Sequence, residues 1–74
     1  MSTTDDLSKV LKDRYETAQD REQVTQIHLF GIEFADVLEG HAINDIAELA
    51  TGHRSYGTEI RKGIRLAKYV SLKS

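Results

Sequence analysis

Residues 46–63, IAELATGHRSYGTEIRKG, decide how this 74-residue chain folds. Ile43, Ile46, Ala47 and Ala50 recur at the three- and four-residue spacing that gathers them on one side of a short helix. Thr51 and Gly52 then break the pattern, as expected at a helix stop, where glycine takes the left-handed conformation most readily. Past the break the apolar period resumes. At 100° per residue, Tyr56, Ile60, Gly63, Ile64, Ala67 and Val70 share one face. Thr58, Arg61, Lys62, Arg65 and Lys68 share the other with Tyr69, and Glu59 at its flank is the nearest acid. An exposed helix more usually mixes signs along its surface. A face this one-sided calls for an anion.

Charge along the whole chain repeats the theme. Residues 1–52 carry eleven acidic residues against Lys9, Lys12, Arg14 and Arg21, a net of −7. Residues 53–74 carry Arg54, Arg61, Lys62, Arg65, Lys68 and Lys73 against Glu59, a net of +5. The overall charge of −2 hides that split. Two explanations fit: a polyanion-facing end, or two halves that neutralise each other within the fold.

Upstream, Leu7, Val10, Leu11, Tyr15 and Ala18 form an apolar stripe over a first helix at about 4–18. Thr3 or Thr4 can cap it, and Asp5 and Asp6 sit where the helix dipole favours negative charge. A second helix, at about 21–39, is expected to start from a capping box of Asp20 and Gln23 and to stop at Gly40. Ile27, Phe30, Phe34 and Val37 or Leu38 line one of its faces, while Leu29 and Ile32 widen the apolar surface, as befits a central helix. The β-branched and aromatic content of QIHLFGIEF suits a strand, but length and periodicity favour helix. The expected fold is all-α: a small four-helix domain spanning 1–74, with helices at about 4–18, 21–39, 42–51 and 55–68. The tail YVSLK either extends the last helix or makes a short strand.

Composition narrows the class. A single domain of this length buries only about 60% of its unfolded surface, so its core is thin. With no cysteine there is no disulfide staple and no thiolate metal site. Packed helices, helped by self-association, have to stabilise it. MSTTDDL is acidic where a secretion signal is basic and then apolar, and IHLFGIEFADVL is too short and too charged to span a bilayer. A cytoplasmic protein without membrane association is expected.

The string at 46–63 resembles the helix-turn-helix unit of bacterial repressors, the lac repressor family in particular. Ile46 and Ala47 match the apolar and alanine positions of that unit's first helix, Ala50 its last buried position, and Ile60 a buried position late in the second. Gly63 matches a glycine that closes the recognition helix. The resemblance implies that the second helix enters the major groove of double-stranded DNA. Ser55, Tyr56, Thr58, Glu59 and Lys62 are then candidate base readers, and Arg54, Arg61, Arg65 and Lys68 candidate phosphate contacts. The chain departs from the family in three places. Thr51 stands where glycine is usual, Gly52 where an apolar residue follows, and Gly57 where another apolar residue belongs. Glycine inside a helix costs about 1 kcal/mol relative to alanine, so Gly57 needs a reason such as close approach to a partner or to another helix. A looser similarity, to short bacterial proteins described as helix-turn-helix-like, covers more of the chain and assigns no substrate.

Other constellations carry less. His28, His41 and His53 are not paired at helical spacing and have no thiol partner, so no metal and no cofactor is expected. His28 reads as a packed or boundary residue, and His53, in the turn, is within reach of a phosphate. Glu33, Asp36, Glu39, Asp45 and Glu48 read as a solvated acidic face, with no nucleophile beside them. Glycines 52, 57 and 63 match neither a dinucleotide nor a P-loop fingerprint. The chain is not expected to be an enzyme. Two functions remain: a DNA-binding transcriptional regulator acting as a homodimer, or a protein-interaction module on the same scaffold using the acidic surface of residues 5–39.

Overall fold

The computed structural model describes residues 3–19 and 21–70. Its helices are α1 (Thr4–Thr17), α2 (Gln23–Glu33), α3 (Ala35–Leu38), α4 (Ile43–Thr51) and α5 (Gly57–Leu66), the last entered through a 3₁₀ turn at Arg54–Tyr56. The fold is all-α, as the periodicity predicts, and QIHLFGIEF is helical. Tyr69 and Val70 form no strand; the rest of the tail, 71–73, lies outside the described residues, as does Asp20 of the expected capping box.

Thr3 caps α1. Its hydroxyl accepts the Asp6 N–H at 3.1 Å, and the Asp6 carboxylate accepts the Thr3 N–H at 3.3 Å, a reciprocal capping box. The expected helix at 21–39 is interrupted at Phe34, which takes φ −106° and ψ 19°. That break turns α3 so that Leu38 is buried and Val37 faces out, while the Phe34 ring packs on Phe30 at 5.1 Å between centroids. Gly40, at φ +88°, follows α3 as the expected left-handed stop.

Leu7, Leu11, Ile27, Phe30, Leu38, Ile43, Ile46, Ala47, Ala50 and Ile60 form one buried cluster drawn from every helix. Around it α2 packs on both α1 and α5, and α4 packs on α1 and α5. The central role expected of the second helix is realised.

Gly31 of α2 and Gly63 of α5 are both buried where their helices cross. A Cβ on Gly31 would overlap the Ile60 carbonyl oxygen and sit 3.0 Å from the Gly63 Cα. A Cβ on Gly63 would overlap the His28 carbonyl oxygen and sit 2.9 Å from the Gly31 Cα. The backbones touch, and only hydrogen fits between them. Gly63 therefore does not close the helix, contrary to what the repressor resemblance implies. It lies inside α5, three residues before its end, as a packing contact.

Alanine at either position has no rotamer with which to escape, so the helices have to separate. Gly31→Ala and Gly63→Ala are each expected to destabilise the fold by about 1–3 kcal/mol, the cost of overpacking a core. Urea or thermal melts followed by circular dichroism read the loss; unchanged midpoints would contradict the crossing.

Candidate nucleic-acid interface

The segment from α4 to α5 is built around a tight turn. Gly52 ends α4 in the left-handed conformation, φ +81°, and its N–H bonds the Glu48 carbonyl at 2.9 Å. The Thr51 hydroxyl donates to the Ala47 carbonyl at 2.7 Å and accepts the His53 N–H at 3.1 Å. Threonine in place of the usual glycine thus ties the turn together, and the glycine one residue later supplies its left-handed backbone. His53 is extended, and the chain then winds through the 3₁₀ turn into α5.

Gly57 stands where the resemblance expects an apolar residue. It is buried against α4, and a Cβ there would overlap the Asn44 side-chain oxygen and lie 3.2 Å from the Asn44 Cα. Close approach to another helix is the reason for this glycine. The apolar gap is taken up by Tyr56, half-buried against the core, 6.0 Å from the Tyr15 ring and edge-on to His53 at 5.6 Å. Burial first, and then a hydrogen bond with Tyr56, raise the Tyr15 phenol above its ordinary range.

Along the outer surface Arg54, Ser55, Thr58, Arg61, Lys62, Arg65 and Lys68 are all exposed, whereas Tyr56 and Glu59 among the predicted contact residues are half-buried. Their electrostatic states differ. Arg54 is paired with Asp45 and, at 3.2 Å, with Glu48, both on α4; Asp45 first and Glu48 second hold its guanidinium more firmly charged than usual. Lys62 is 3.5 Å from Glu59. Arg61 donates to the neutral Asn44 side-chain oxygen at 2.9 Å and has no acidic partner among the described residues. Arg65 and Lys68 likewise make no ion pair there. Asn44 fixes the direction of Arg61 without cancelling its charge, and Gly57 makes the room for Asn44.

Glu59 is the residue whose surroundings depart furthest from the sequence reading. Its carboxylate accepts from His28 Nε2 of α2 at 2.7 Å, so it turns inward beside the helix crossing and away from the outer face. The His28 hydrogen bond, then Lys62, hold its pKa below the ordinary carboxylate range against the opposing effect of burial. Neither this pair nor Asn44 is marked in the sequence, because the register that joins residues 28 and 59, or 44 and 61, is a tertiary property. Val70, expected on the core face, is 47% exposed, because the regular helix ends at Leu66.

A short helix, a tight turn, and a second helix with its apolar side in the core and its basic side outward make a helix-turn-helix unit. A model of HTH-like domains matches residues 3–73, and the chain belongs to that family. No curated protein and no solved structure matches it. No helix among the described residues is long and apolar enough to cross a membrane.

The depressed pKa of Glu59 fixes the sign of a pH effect. A carboxylate whose folded pKa is lowered contributes stability that is present above its unfolded pKa and lost as pH falls through the folded one. The advantage of the native chain over Glu59→Gln is therefore expected at neutral pH and should shrink on acidification below the ordinary carboxylate range, about pH 4. Parallel urea melts from neutral pH downward measure it; a constant difference would mean that the His28 contact leaves the carboxylate unperturbed.

Proposed function

We propose that this chain is a small DNA-binding protein of regulatory type, with α5 as its recognition helix in the major groove of double-stranded DNA. One observation carries the reading: Arg61, Lys62 and Arg65 stand on one exposed face of α5 and Lys68 in the turn that follows it, and of these four only Lys62 has an acidic partner among the described residues. Phosphate binding needs cations whose charge is available, because its free energy comes from released counterions. Arg61, Arg65 and Lys68 are the phosphate contacts of this proposal, and Ser55, Thr58 and Lys62 its base-edge contacts. Tyr56 contributes mainly by holding the turn. Arg54 is a weaker contact than the sequence alone suggests, since Asp45 and Glu48 already neutralise it. One recognition helix makes few contacts, and pairing two copies over two half-sites is the common remedy.

The alternative reading, a protein-interaction module, is supported by the acid residues Asp5, Asp6, Asp13, Glu16, Glu22, Asp36 and Glu39. All are exposed and make no ion pair among the described residues. DNA titration separates the two readings, since amide shifts along 54–68 belong to the first and silence there to the second.

Replacing Arg61 and Arg65 together by alanine is expected to weaken duplex binding and to flatten its dependence on salt. Two lost phosphate contacts correspond to a slope of log K against log salt smaller by about 1.8. Arg54→Ala should change affinity and slope much less. Fluorescence anisotropy with a mixed duplex pool over a salt series is the measurement, and no binding even at low salt would end the DNA reading.

A further inference from the structure

Four of the five Phe and Tyr residues, Tyr15, Phe30, Phe34 and Tyr56, pack in or on the core. The fifth, Tyr69, is 83% exposed. Its backbone is nevertheless held in the turn that follows α5. The Tyr69 N–H bonds the Leu66 carbonyl at 2.9 Å, and the Lys68 N–H bonds the Arg65 carbonyl at 3.2 Å. The ring meets no other aromatic ring, and no cation lies over its face, among the described residues. With Leu66, which is 42% exposed, it walls a hollow of about 450 Å³ whose other lining residues are Lys62 and Arg65.

That lining is one aromatic ring, one aliphatic side chain and two cations, with no carboxylate. Glu59, the acid beside Lys62, is turned toward His28 and lies outside it. A flat apolar group that carries negative charge fits such a hollow. A nucleotide is such a group: its base has a face to stack on a ring, and its phosphate a charge for the guanidinium. A membrane surface fits less well. Interfacial helices bury a continuous apolar side, and the apolar side of α5 is already in the core at Ile60, Gly63 and Ile64.

Position along the helix says which nucleotide. The ten residues of α5 make it about 15 Å long, whereas the major groove is about 12 Å wide. With Ser55 and Thr58 at base edges, Leu66 and Tyr69 lie past the rim of the groove. The bases of an intact duplex are stacked on one another and present no face there. A ring in that place meets a base only where the base is unpaired.

We propose that Leu66 and Tyr69 form a stacking platform for an unpaired nucleotide, so that the chain favours a duplex that adjoins a single-stranded tract. The inference deepens the reading of α5 as recognition helix and rests on it for the place of the duplex. Lys62 keeps its base edge and Arg65 its phosphate, and the platform adds the next base. Every base has a π-face, so the platform selects strand state and not sequence.

Fluorescence anisotropy with three probes of one sequence tests this: a blunt duplex, the same duplex with an unpaired tail at either end, and the tailed strand alone. The native chain should bind the tailed duplex at least about fivefold more tightly than the blunt one, the lower end of what one stacked base contributes. Tyr69→Ala should bring the tailed duplex to the affinity of the blunt one. Tyr69→Phe should keep the preference, because it removes the hydroxyl and leaves the ring. The chain has no tryptophan, so Tyr69→Trp supplies a single reporter, whose emission the tailed duplex should quench and the blunt one should not. Circular dichroism checks that each variant keeps the native fold, as expected of so exposed a position. Equal affinity for blunt and tailed duplexes, a preference indifferent to Tyr69→Ala, or one lost in Tyr69→Phe overturns the platform and leaves the α5 reading in place. No binding to any probe overturns both. A single strand bound as tightly as the tailed duplex, with the same dependence on Tyr69, supports the platform and ends the major-groove reading. Emission that responds to phosphatidylglycerol vesicles and not to the tailed duplex assigns the patch to a membrane surface and overturns the proposal.

Discussion

The rest of this structure depends on the contact of two backbones, α2 against α5 at Gly31 and Gly63. Where side chains separate two helices, their orientation follows from how those side chains pack, and several packings compete. Here the crossing point is set by atoms that have no rotamers. The His28 carbonyl lies over Gly63 and the Ile60 carbonyl over Gly31, leaving no space for a methyl group on either helix. In a domain with so small a core, such a contact fixes the direction of α5 more firmly than apolar burial alone would. The outward direction of Thr58, Arg61, Lys62 and Arg65 follows from it.

The polar contacts around the crossing work with it. His28 contributes its backbone to the close contact and its ring to Glu59, so one residue of α2 sets both the approach and the rotation of α5. On the other side, Gly57 brings the start of α5 against α4, and Asn44 uses the space to hold Arg61. Three glycines without a side-chain function of their own thereby determine where the outward side chains of α5 stand. The turn obeys the same economy. Thr51 closes it with two hydrogen bonds, and Gly52 needs only to take a positive φ.

How far the sequence reveals this depends on whether a feature is local. Helix type, the stop at Gly40, the cap at Thr3, the turn at Gly52 and the two faces of the last helix are written in spacing and in residue chemistry, and they read correctly. The break at Phe34 is not, because no proline or glycine marks it; it arises from burying Leu38 and Phe34 in one core. Gly57 reads as a glycine in need of a close approach, Gly63 reads instead as a helix close, and nothing in the spacing gives Gly31 a role. A glycine inside a helix signals close approach, but what approaches it belongs to the tertiary fold. Asn44 and the pairing of His28 with Glu59 join residues 17 and 31 positions apart, and no local pattern predicts them. The outer face was legible as a set of cations, whereas which cations are already neutralised was not.

That last distinction bears most directly on function. A surface ion pair contributes little stability, of order 0–1 kcal/mol, so the Arg54 pairs with Asp45 and Glu48 do not hold α4 to α5 by themselves. Their larger effect is on charge: a cation with two carboxylates beside it offers a phosphate almost nothing. One residue earlier on α4 than Asp45, Asn44 meets Arg61 with a neutral oxygen. An aspartate in that place could orient the guanidinium equally well and would cancel its charge. An amide orients it and leaves the charge in place, which is the combination an anion-binding surface needs and a stability-driven surface does not. In a chain of net charge −2, the location of uncompensated cations matters more than their number. Lys9, Lys12 and Arg21 also make no ion pair among the described residues, but they lie on α1 and the turn that follows it, whereas Arg61, Arg65 and Lys68 share the side that the glycine crossing turns outward.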